Sequence, residues 1–403
     1  MTNYVGERIM PNKKGYTLVE LLVVMAIFIT VIMISSSAFE KITQTAGQQS
    51  RSVETQIEGQ VGLNLMRFDI EHAGYGLPWS FRSPLTYPEV DVTAGFLADG
   101  IDSNSFNDMV SLGPDKIPKA IASATSTTTG IDYLVVKSTM ASINATSKKW
   151  SFVNYSVNES GGIATNESYI KQWSTLSDNF VNGENVVTLI NITNQKAGTI
   201  DRQLANDGAA FYYSYAGLFP ATDAYKPVTP SQIFTVYGID DKPLRMPYNR
   251  ADFYVNRPSN VPSSCNPGTG VLYKGVAVHT TGGFVQYPLL DCVGDMQVAF
   301  ELDLLNDGNI TYAKNLDGYT AKTIRESLKR VRVYILAHEG GRDRNFIYPV
   351  NDTSKALVVG DPAFTVSFGR IWSAADLAAR FGPDWQNYRW KIYTLAIKPT
   401  NLD

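Results

Sequence analysis

Histidine and cysteine are scarce in this sequence, and their scarcity limits the chemistry that it can support. The 403 residues include three histidines and two cysteines. The histidines, His72, His279 and His338, have no Cys, Asp or Glu beside them at a spacing typical of metal sites. The sequence also lacks a G-x-S-x-G elbow, a phosphate-binding glycine loop and an H-E-x-x-H motif. We therefore expect no enzyme activity and no cofactor.

An excess of positive charge is also missing. The formal net charge is -3 at pH 7, and the sequence contains no nucleic-acid-binding motif. Because a mildly acidic surface repels phosphate groups, we do not expect nucleic acid to be a partner.

The two cysteines, Cys265 and Cys292, are too far apart for the C-x-x-C spacing of zinc and dithiol redox sites. Two cysteines in an exported domain typically form one disulfide. The alternative is a pair of buried free thiols. A membrane segment near the N-terminus favours export, so we expect a Cys265–Cys292 disulfide.

That membrane segment is an apolar run over residues 16–39, which is long enough to span a bilayer at about 1.5 Å per residue. Arg8, Lys13 and Lys14 precede it, and the positive-inside rule then places the N-terminus in the cytoplasm. A secretory signal peptide is the alternative, and it requires a small-residue cleavage site after the run. Residues 35–38 meet that requirement only loosely.

Glu20 distinguishes this run from an ordinary signal peptide, because a carboxylate in a spanning helix costs a few kcal/mol unless it is compensated. The sequence Lys14-Gly15-Tyr16-Thr-Leu-Val-Glu20 resembles the class III signal of type IV prepilins. The resemblance implies that a prepilin peptidase cleaves after Gly15 and that the new N-terminus, Tyr16, is methylated. It also implies that Glu20 pairs in the membrane with the N-terminal amine of a neighbouring subunit.

Proline is absent between Tyr16 and Leu77. Many major pilins carry a proline that bends the first helix, so the resemblance implies a straighter helix and disfavours a major-pilin role. We predict a pilin helix over residues 16–73, with its helical turns reaching about Ile70. Glycines and Pro78 follow, and these residues cap and stop helices.

Beyond the membrane, apolar residues recur mostly at intervals of three or four, the period of an amphipathic helix. We expect the membrane half of this stripe to contact neighbouring subunits and the later half to carry the head. Gly47, Gly59 and Gly62 each weaken the helix by about 1 kcal/mol relative to alanine, and they allow either close packing or local melting. The stripe consists of Phe39, Ile42, Ala46, Val53, Ile57, Val61, Leu65 and Phe68.

Short β-branched and aromatic runs, separated by polar loops, follow and indicate antiparallel β structure. The expected fold class is therefore α+β, with a long N-terminal pilin helix packed on a large β-rich head. A short helix is predicted at 323–330. The predicted strands are 131–137, 150–157, 185–192, 233–237, 271–278, 296–302, 331–337, 364–368 and 391–397.

The order of elements near the end of the chain, together with the boundary at 69–76, resembles PilW-type minor pilins. This resemblance covers about the first 80 and the last 115 residues. It implies a cleaved leader (1–15), the pilin helix (16–73) and a head (74–403) that carries an insertion at 79–289.

Clustered oxygen ligands occur at Asp303, Asn306 and Asp307, beside Gly308. A calcium loop requires alternating ligands and a distal glutamate, and here the alternation is imperfect and the glutamate is missing. Asn-Asp-Gly is also typical of a turn. We interpret the segment as a turn and keep calcium as the weaker alternative.

The sequence thus predicts a minor type IV pilin that primes pilus assembly at or near the tip. Its partners would be the prepilin peptidase, other minor and major pilins and the inner-membrane assembly platform, with a tip adhesin as a further candidate. The chain would cross the inner membrane once, with its head in the periplasm, and then reach the pilus at the cell surface. The alternatives are a pseudopilin of type II secretion, a tip adhesin acting through residues 79–289 and, least favoured, an anchored exported enzyme.

Overall fold

The computed structural model describes residues 17–91, 97–98, 100–108, 117–194, 199–217, 219, 223–259, 261–361 and 368–402. At 41–42, 44–58, 97–98, 194 and 199–200 it describes the backbone. The chain divides into two compact units, one up to Val53 and one from Glu54 onward.

One long helix comes first in the described chain, and most of the elements that follow are short strands. The helices are α1 (Leu18–Glu71), α2 (Ala321–Ser327) and α3 (Ala374–Phe381). In chain order the strands are β1 (Ser80–Phe81), β2 (Leu97–Ala98), β3 (Ile101–Asp102), β4 (Ile121–Thr125), β5 (Asp132–Ser138), β6 (Trp150–Asn154), β7 (Val157–Ser160), β8 (Ile163–Asn166), β9 (Tyr169–Ile170), β10 (Asn185–Asn194), β11 (Thr199–Leu204), β12 (Tyr213–Ser214), β13 (Ile233–Asp240), β14 (Asn249–Asn256), β15 (Gly270–Ala277), β16 (Phe284–Leu302), β17 (Thr311–Ala313), β18 (Leu328–Glu339), β19 (Leu357–Val359), β20 (Arg370–Trp372) and β21 (Arg389–Ile397).

Within the described ranges, most of these strands build two large sheets, and β2 with β3, β7 with β8 and β19 with β20 form three two-stranded sheets. The first large sheet has the order β1-β11-β10-β13-β6-β9, with β12 also paired to β10. The second has the order β21-β18-β16-β15-β14-β5-β4, with β17 also paired to β16. The strands of both sheets pair antiparallel, except that β1 runs parallel to β11. An α+β fold with an antiparallel, β-rich body is thus confirmed, although the body has no feature specific to pilins.

Helix α1 ends at Glu71, close to the predicted end. Gly74 and Gly76 follow with φ angles of 81° and 65°, a left-handed conformation that glycine adopts readily. The short helix predicted at 323–330 is observed as α2 (Ala321–Ser327), so it begins two residues earlier and ends three residues earlier than predicted, and strand β18 begins at Leu328.

The face of α1 that packs on the body differs from the predicted one. Leu63, Met66 and Ile70 are buried in the main hydrophobic core, whereas Val61 and Leu65 of the predicted stripe are 59% and 49% exposed. The expectation that the later half of the stripe carries the head is therefore wrong at these two positions. The stripe members Ile42, Ala46, Val53 and Ile57 lie outside the described side chains.

Two glycines explain which face is buried. An added Cβ at Gly62 would lie 1.9 Å from the carbonyl oxygen of Leu289, and one at Gly59 would lie 2.7 Å from Cδ1 of Leu290. The absence of side chains at these positions lets β16 approach the backbone of α1. Of the two roles considered for these glycines, the structure shows close packing.

The main core joins α1 to both sheets. Besides the three residues of α1, it contains Leu189 of β10 from the first sheet and Val298 of β16 from the second. Strand β16 runs from Phe284 to Leu302 and so continues through position 289, the expected end of the insertion. Strands β4, β5, β14 and β15 on one side of that position share a sheet with β18 and β21 on the other. Of the predicted strand at 364–368, residues 364–367 lie outside the described residues.

Candidate assembly site

The start of α1 is fixed by a capping box between Thr17 and Glu20. The Glu20 backbone N–H donates to Oγ1 of Thr17 at 3.3 Å. In return, Oε2 of Glu20 accepts from the backbone N–H of Thr17 at 3.0 Å and from its hydroxyl at 3.1 Å. Such a reciprocal pair satisfies backbone donors that a helix start otherwise leaves unpaired.

Sequence reasoning assigned Glu20 to subunit pairing and overlooked this local role. The signal was present, because Thr-x-x-Glu before an apolar run is the sequence signature of a capping box. The Glu20 carboxylate is exposed in the single chain. It keeps acceptor capacity for a further donor, since a carboxylate offers about four lone-pair sites.

The apolar segment next to this cap is long enough to cross a membrane. It extends over Leu18–Glu40 with a mean hydropathy of 2.8, and none of it is buried within the chain. Two of its hydroxyl groups are satisfied locally: Thr30 donates to the carbonyl of Ile27 at 2.7 Å, and Ser37 donates to that of Ile34 at 2.9 Å. Back-bonding of this kind makes serine and threonine tolerable in lipid.

The end of α1 is anchored in the body by charges and hydrogen bonds. Asp69 and Lys274 form a buried ion pair at 2.5 Å. Burial raises the pKa of Asp69, and the Lys274 ammonium opposes that rise. The carbonyl oxygen of Glu71, which α1 leaves unpaired at its end, accepts from both the backbone N–H and the hydroxyl of Thr400 at 2.9 Å. The last turn of α1 is therefore held by residues from distant parts of the chain.

The structure also locates the remaining sites predicted from sequence. Cys265 and Cys292 are joined in a disulfide, with their Cα atoms 4.9 Å apart. The two carboxylate oxygens of Asp303 accept from the backbone N–H groups of Asp307 and Gly308, each at 3.1 Å. These hydrogen bonds are those of a turn. In the part of the chain that the structure describes, no group of three or more His, Cys, Asp and Glu residues is placed to hold a metal ion.

Buried charges form a network that sequence reasoning missed. Lys137 lies 3.0 Å from Glu89 and 2.5 Å from Asp108, and Arg250 lies 2.7 Å from Asp252. Burial alone would raise the pKa of Glu89, but Lys137 lowers it below the ordinary value. Removing one member of such a buried pair is destabilising because the remaining charge loses its partner. We interpret these pairs as structural.

Of the known protein families compared, one matches the N-terminal segment. The family model described as the prokaryotic N-terminal methylation motif matches residues 10–36. This range contains Lys14, Gly15 and Tyr16, which lie outside the described residues, and also the Thr17–Glu20 cap. No curated protein and no solved structure matches the chain.

The motif and the apolar helix together are those of a type IV prepilin-like protein, in the broad sense that includes pseudopilins. The motif implies processing by a prepilin peptidase and assembly with other pilins. The helix fits membrane anchoring by a single N-terminal segment. Proteins with this motif are in general structural and not enzymatic.

Proposed function

We propose that this chain is a minor type IV pilin that primes pilus assembly and is positioned at or near the tip of the fibre. The observation that carries the proposal is the methylation motif at residues 10–36, joined to an exposed apolar helix with Glu20 in its first turn. The chain performs no catalysis in this role, and it needs no cofactor.

Cleavage after Gly15 and methylation of Tyr16 give the mature N-terminus. Its amine on one subunit then pairs with Glu20 of a neighbour. Each charge alone is costly in lipid, and the pair is compensated only in the assembled state. The pairing thus fixes the axial position of each subunit along the fibre. Lys14 plays no part in it, because it belongs to the leader that is removed.

The exposed side of α1 supports a second contact between subunits. Val61 and Leu65 lie one helical turn apart and remain accessible, although both are apolar. Residues four apart share one face of a helix. We propose that they pack against the helix of an adjacent pilin, a role that the sequence stripe had assigned to the membrane half alone.

The body supports a role at low copy number. The described residues from Glu54 onward form one compact unit with a core shared by both large sheets. A head of that size, 74–403, would crowd a fibre in which it repeated at every position, but it fits at a tip. The order of the last elements, which resembles that of PilW-type minor pilins, supports this role. Residues 79–289 would then be an enlargement of the pilin head, built into its sheet.

In the proposed pathway the mature chain waits in the inner membrane with its head in the periplasm. It joins other minor pilins on the inner-membrane assembly platform, and major pilins are added beneath it. The fibre then carries it to the cell surface, where it can present a tip adhesin or act as one.

Intact-mass measurement and N-terminal sequencing of protein from membranes and from sheared fibres test the proposal. We expect a chain that begins with N-methylated Tyr16 and a copy number far below that of the major subunit. A chain that begins near Ala38, or that keeps Met1, would overturn the prepilin processing. High and regular copy number along the fibres would overturn the minor role. Recovery from a strain in which only a type II secretion system remains would favour the pseudopilin alternative.

A further inference from the structure

Three ionisable side chains meet in the interior of the body. Lys137 of β5 places its Nζ atom 3.0 Å from Oε2 of Glu89 and 2.5 Å from Oδ2 of Asp108. The side chains of Lys137 and Glu89 are fully buried, and that of Asp108 is 9% exposed. A primary amine is therefore held in contact with two carboxyl groups at a place that little water can reach.

Further contacts fix the geometry of these three groups. Nζ of Lys137 also donates to the carbonyl oxygen of Phe106 at 2.8 Å. Oε1 of Glu89 accepts from the backbone N–H of Asp108 at 2.6 Å, so the two acids are held relative to each other. The Tyr248 ring, whose centroid lies 5.5 Å from Nζ, covers the amine from one side. A nucleophile positioned against its target can act at an effective concentration of about 10⁵–10⁸ M, far above that of liquid water.

The three groups cannot all be ionised without leaving an uncompensated negative charge in the interior, which is costly. The next cation, Arg250, is already paired with Asp252 at 2.7 Å. Burial raises the pKa of Asp108 above its ordinary value; Lys137 opposes that rise and Glu89 adds to it. Burial alone would also raise the pKa of Glu89, but Lys137 lowers it below the ordinary value. Of the two acids, Asp108 is therefore the one that is protonated more readily, and Glu89 is the one that stays ionised.

We propose that Lys137 and Asp108 condense to an isopeptide bond, with Glu89 as the catalytic proton carrier. A lysine amine is a nucleophile once it has lost its proton. A protonated carboxyl group is a better acceptor for that amine than a carboxylate, because its carbonyl carbon carries less electron density. The cluster supplies both partners and a base in contact with the amine.

The reaction balances without an oxidant, a reductant or a second substrate. Glu89 takes one proton from the ammonium of Lys137, and the neutral amine attacks Cγ of Asp108 to form the C–N bond. Glu89 then gives this proton to the carboxyl hydroxyl, which leaves as water when the C–O bond breaks. The amine loses its second proton to Glu89. The products are one amide, one water and a protonated Glu89.

The surroundings favour both the intermediate and the product. The backbone N–H of Lys119 donates to Oδ2 of Asp108 at 3.0 Å. This oxygen becomes negative in the tetrahedral intermediate, and a fixed N–H donor stabilises that charge. The amide and the protonated Glu89 are both neutral, so no charge of the cluster remains buried. The cluster is then structural in a covalent form that ties β5 to the segment between β3 and β4, and this proposal stands independently of the minor-pilin role.

A second buried pair provides a comparison within the same molecule. Nζ of Lys274 lies 2.5 Å from Oδ2 of Asp69, and the two side chains are 5% and 2% exposed. Among the described residues, Asp69 is the one carboxylate within salt-bridge distance of Lys274. This pair matches the contact and the burial of Lys137 and Asp108 but has no second carboxylate to carry the proton. We therefore expect it to remain an ion pair.

Intact-mass measurement of the denatured and reduced mature chain tests the proposal. Lys137→Arg keeps the positive charge but removes the amine that forms the bond. After correction for the substituted side chain, the wild type should be lighter than this variant by the mass of one water, about 18 Da. Because both chains have the same N-terminus, the comparison does not depend on leader cleavage or methylation. Equal corrected masses would overturn the proposal.

Peptide mapping locates the bond in the wild-type chain alone and so needs no variant that folds. Trypsin does not cleave after an acylated lysine. The digest should therefore contain one branched peptide in which the side chains of Lys137 and Asp108 are joined. Recovery of both residues in unlinked peptides, or a branch at Glu89 or Lys274 instead, would overturn the assignment.

Glu89→Gln tests the proton carrier. Glutamine keeps an oxygen that can accept from the Asp108 N–H, but it is not a base. We expect this variant to have its full mass and an unlinked Lys137. The matched control is Glu184→Gln, which alters a carboxylate 2.7 Å from Lys149 and should leave the bond intact. Loss of one water from Glu89→Gln as from the wild type, or loss of the bond in both variants, would overturn the role of Glu89.

Discussion

Gly62 in α1 faces the carbonyl oxygen of Leu289 so closely that a methyl group at Gly62 would lie 1.9 Å from that oxygen. The neighbouring atom belongs to the backbone of β16, which cannot move aside as a side chain can. Gly62→Ala should therefore destabilise the body by about 2 kcal/mol, the usual range of overpacking. The better helix propensity of alanine, worth about 1 kcal/mol, offsets part of the cost of this clash, and the expected loss is the net of the two effects. Denaturant unfolding of the mature chain in detergent measures the loss.

Two nearby substitutions serve as controls for Gly62→Ala. At Gly59 the closest atom to an added Cβ is Cδ1 of Leu290, at 2.7 Å. Because the end of a leucine side chain can rotate away, Gly59→Ala should change stability by less than about 1 kcal/mol. Gln60→Ala, at an exposed position, should be neutral. If Gly62→Ala were as mild as these two, close packing would not be the reason for the glycine.

The prepilin-type signal and the apolar helix were the most predictable features of this molecule because their information is local. The proposed cleavage position Gly15, Glu20 and most of the apolar span lie within residues 10–36, the range that the family model matches. The face of α1 that packs on the body was not predictable in this way. Burial of Gly62 depends on how closely β16 approaches, and that approach involves residues far along the chain.

In the body, the alternation of apolar and polar residues predicted strand β18. It did not predict that the second face of this strand is also covered, with Tyr334 and Leu336 buried in a smaller hydrophobic cluster. Strand β14 was missed because Arg250 and Asp252 interrupt the apolar pattern, and both are buried as a pair at 2.7 Å. Helix α3 was also missed, although Ser373 and Asp376 form a capping box with the same signature as Thr17 and Glu20. Ion pairing between buried side chains cannot be deduced from periodicity alone.

The Cys265–Cys292 disulfide should make a measurable contribution to stability. The two cysteines are 27 positions apart, and closing a loop of that length in the unfolded chain is worth about 3–4 kcal/mol in the chain-entropy model. We expect the double variant Cys265→Ser/Cys292→Ser to lose about that much unfolding free energy. Unfolding of the wild-type chain under a reductant should show the same loss, and a reductant should not affect the variant. A loss confined to the variant would mean that buried serines, and not the missing bond, are responsible.

Two buried histidines should make stability depend on pH. The ring of His338 accepts the backbone N–H of Asn266 at Nε2 and lies 3.1 Å from the carbonyl of Gly340 at Nδ1. Burial lowers the pKa of His338 from 6.5 to about 4, and it lowers that of His279 equally. The unfolded chain protonates these histidines near pH 6.5, whereas the folded chain protonates them only near pH 4. The free energy of unfolding is therefore retained above pH 6.5 and decreases as the pH falls toward 4. Each histidine contributes about 3 kcal/mol to this loss.

The variant His338→Gln isolates one of these contributions. Its side chain does not titrate, so relative to the wild type its unfolding free energy should rise by about 3 kcal/mol between pH 6.5 and 4. The comparison with the wild type is necessary because Asp132 changes the free energy of unfolding with pH in the direction opposite to that of the histidines. Burial raises the pKa of Asp132 from 3.8 to about 6, and its effect is the same in both proteins. A difference between them that stayed constant with pH would show that His338 is not held in the neutral form.

The two roles of Glu20 can be separated by substitution. Glutamine keeps an oxygen that can accept from the Thr17 N–H and hydroxyl, as glutamate does at 3.0 and 3.1 Å, but it removes the charge. If Glu20 pairs with the amine of Tyr16 on a neighbouring subunit, Glu20→Gln should be inserted and cleaved normally yet fail to enter fibres. Thr17→Val removes the hydroxyl that accepts from the Glu20 N–H and keeps the carboxylate, so it should cost about 1 kcal/mol of helix stability and still permit assembly. Cleavage is measured by N-terminal sequencing and assembly by the amount of the chain in sheared fibres. Normal incorporation of Glu20→Gln, together with loss of incorporation in Thr17→Val, would show that the cap and not the charge controls assembly.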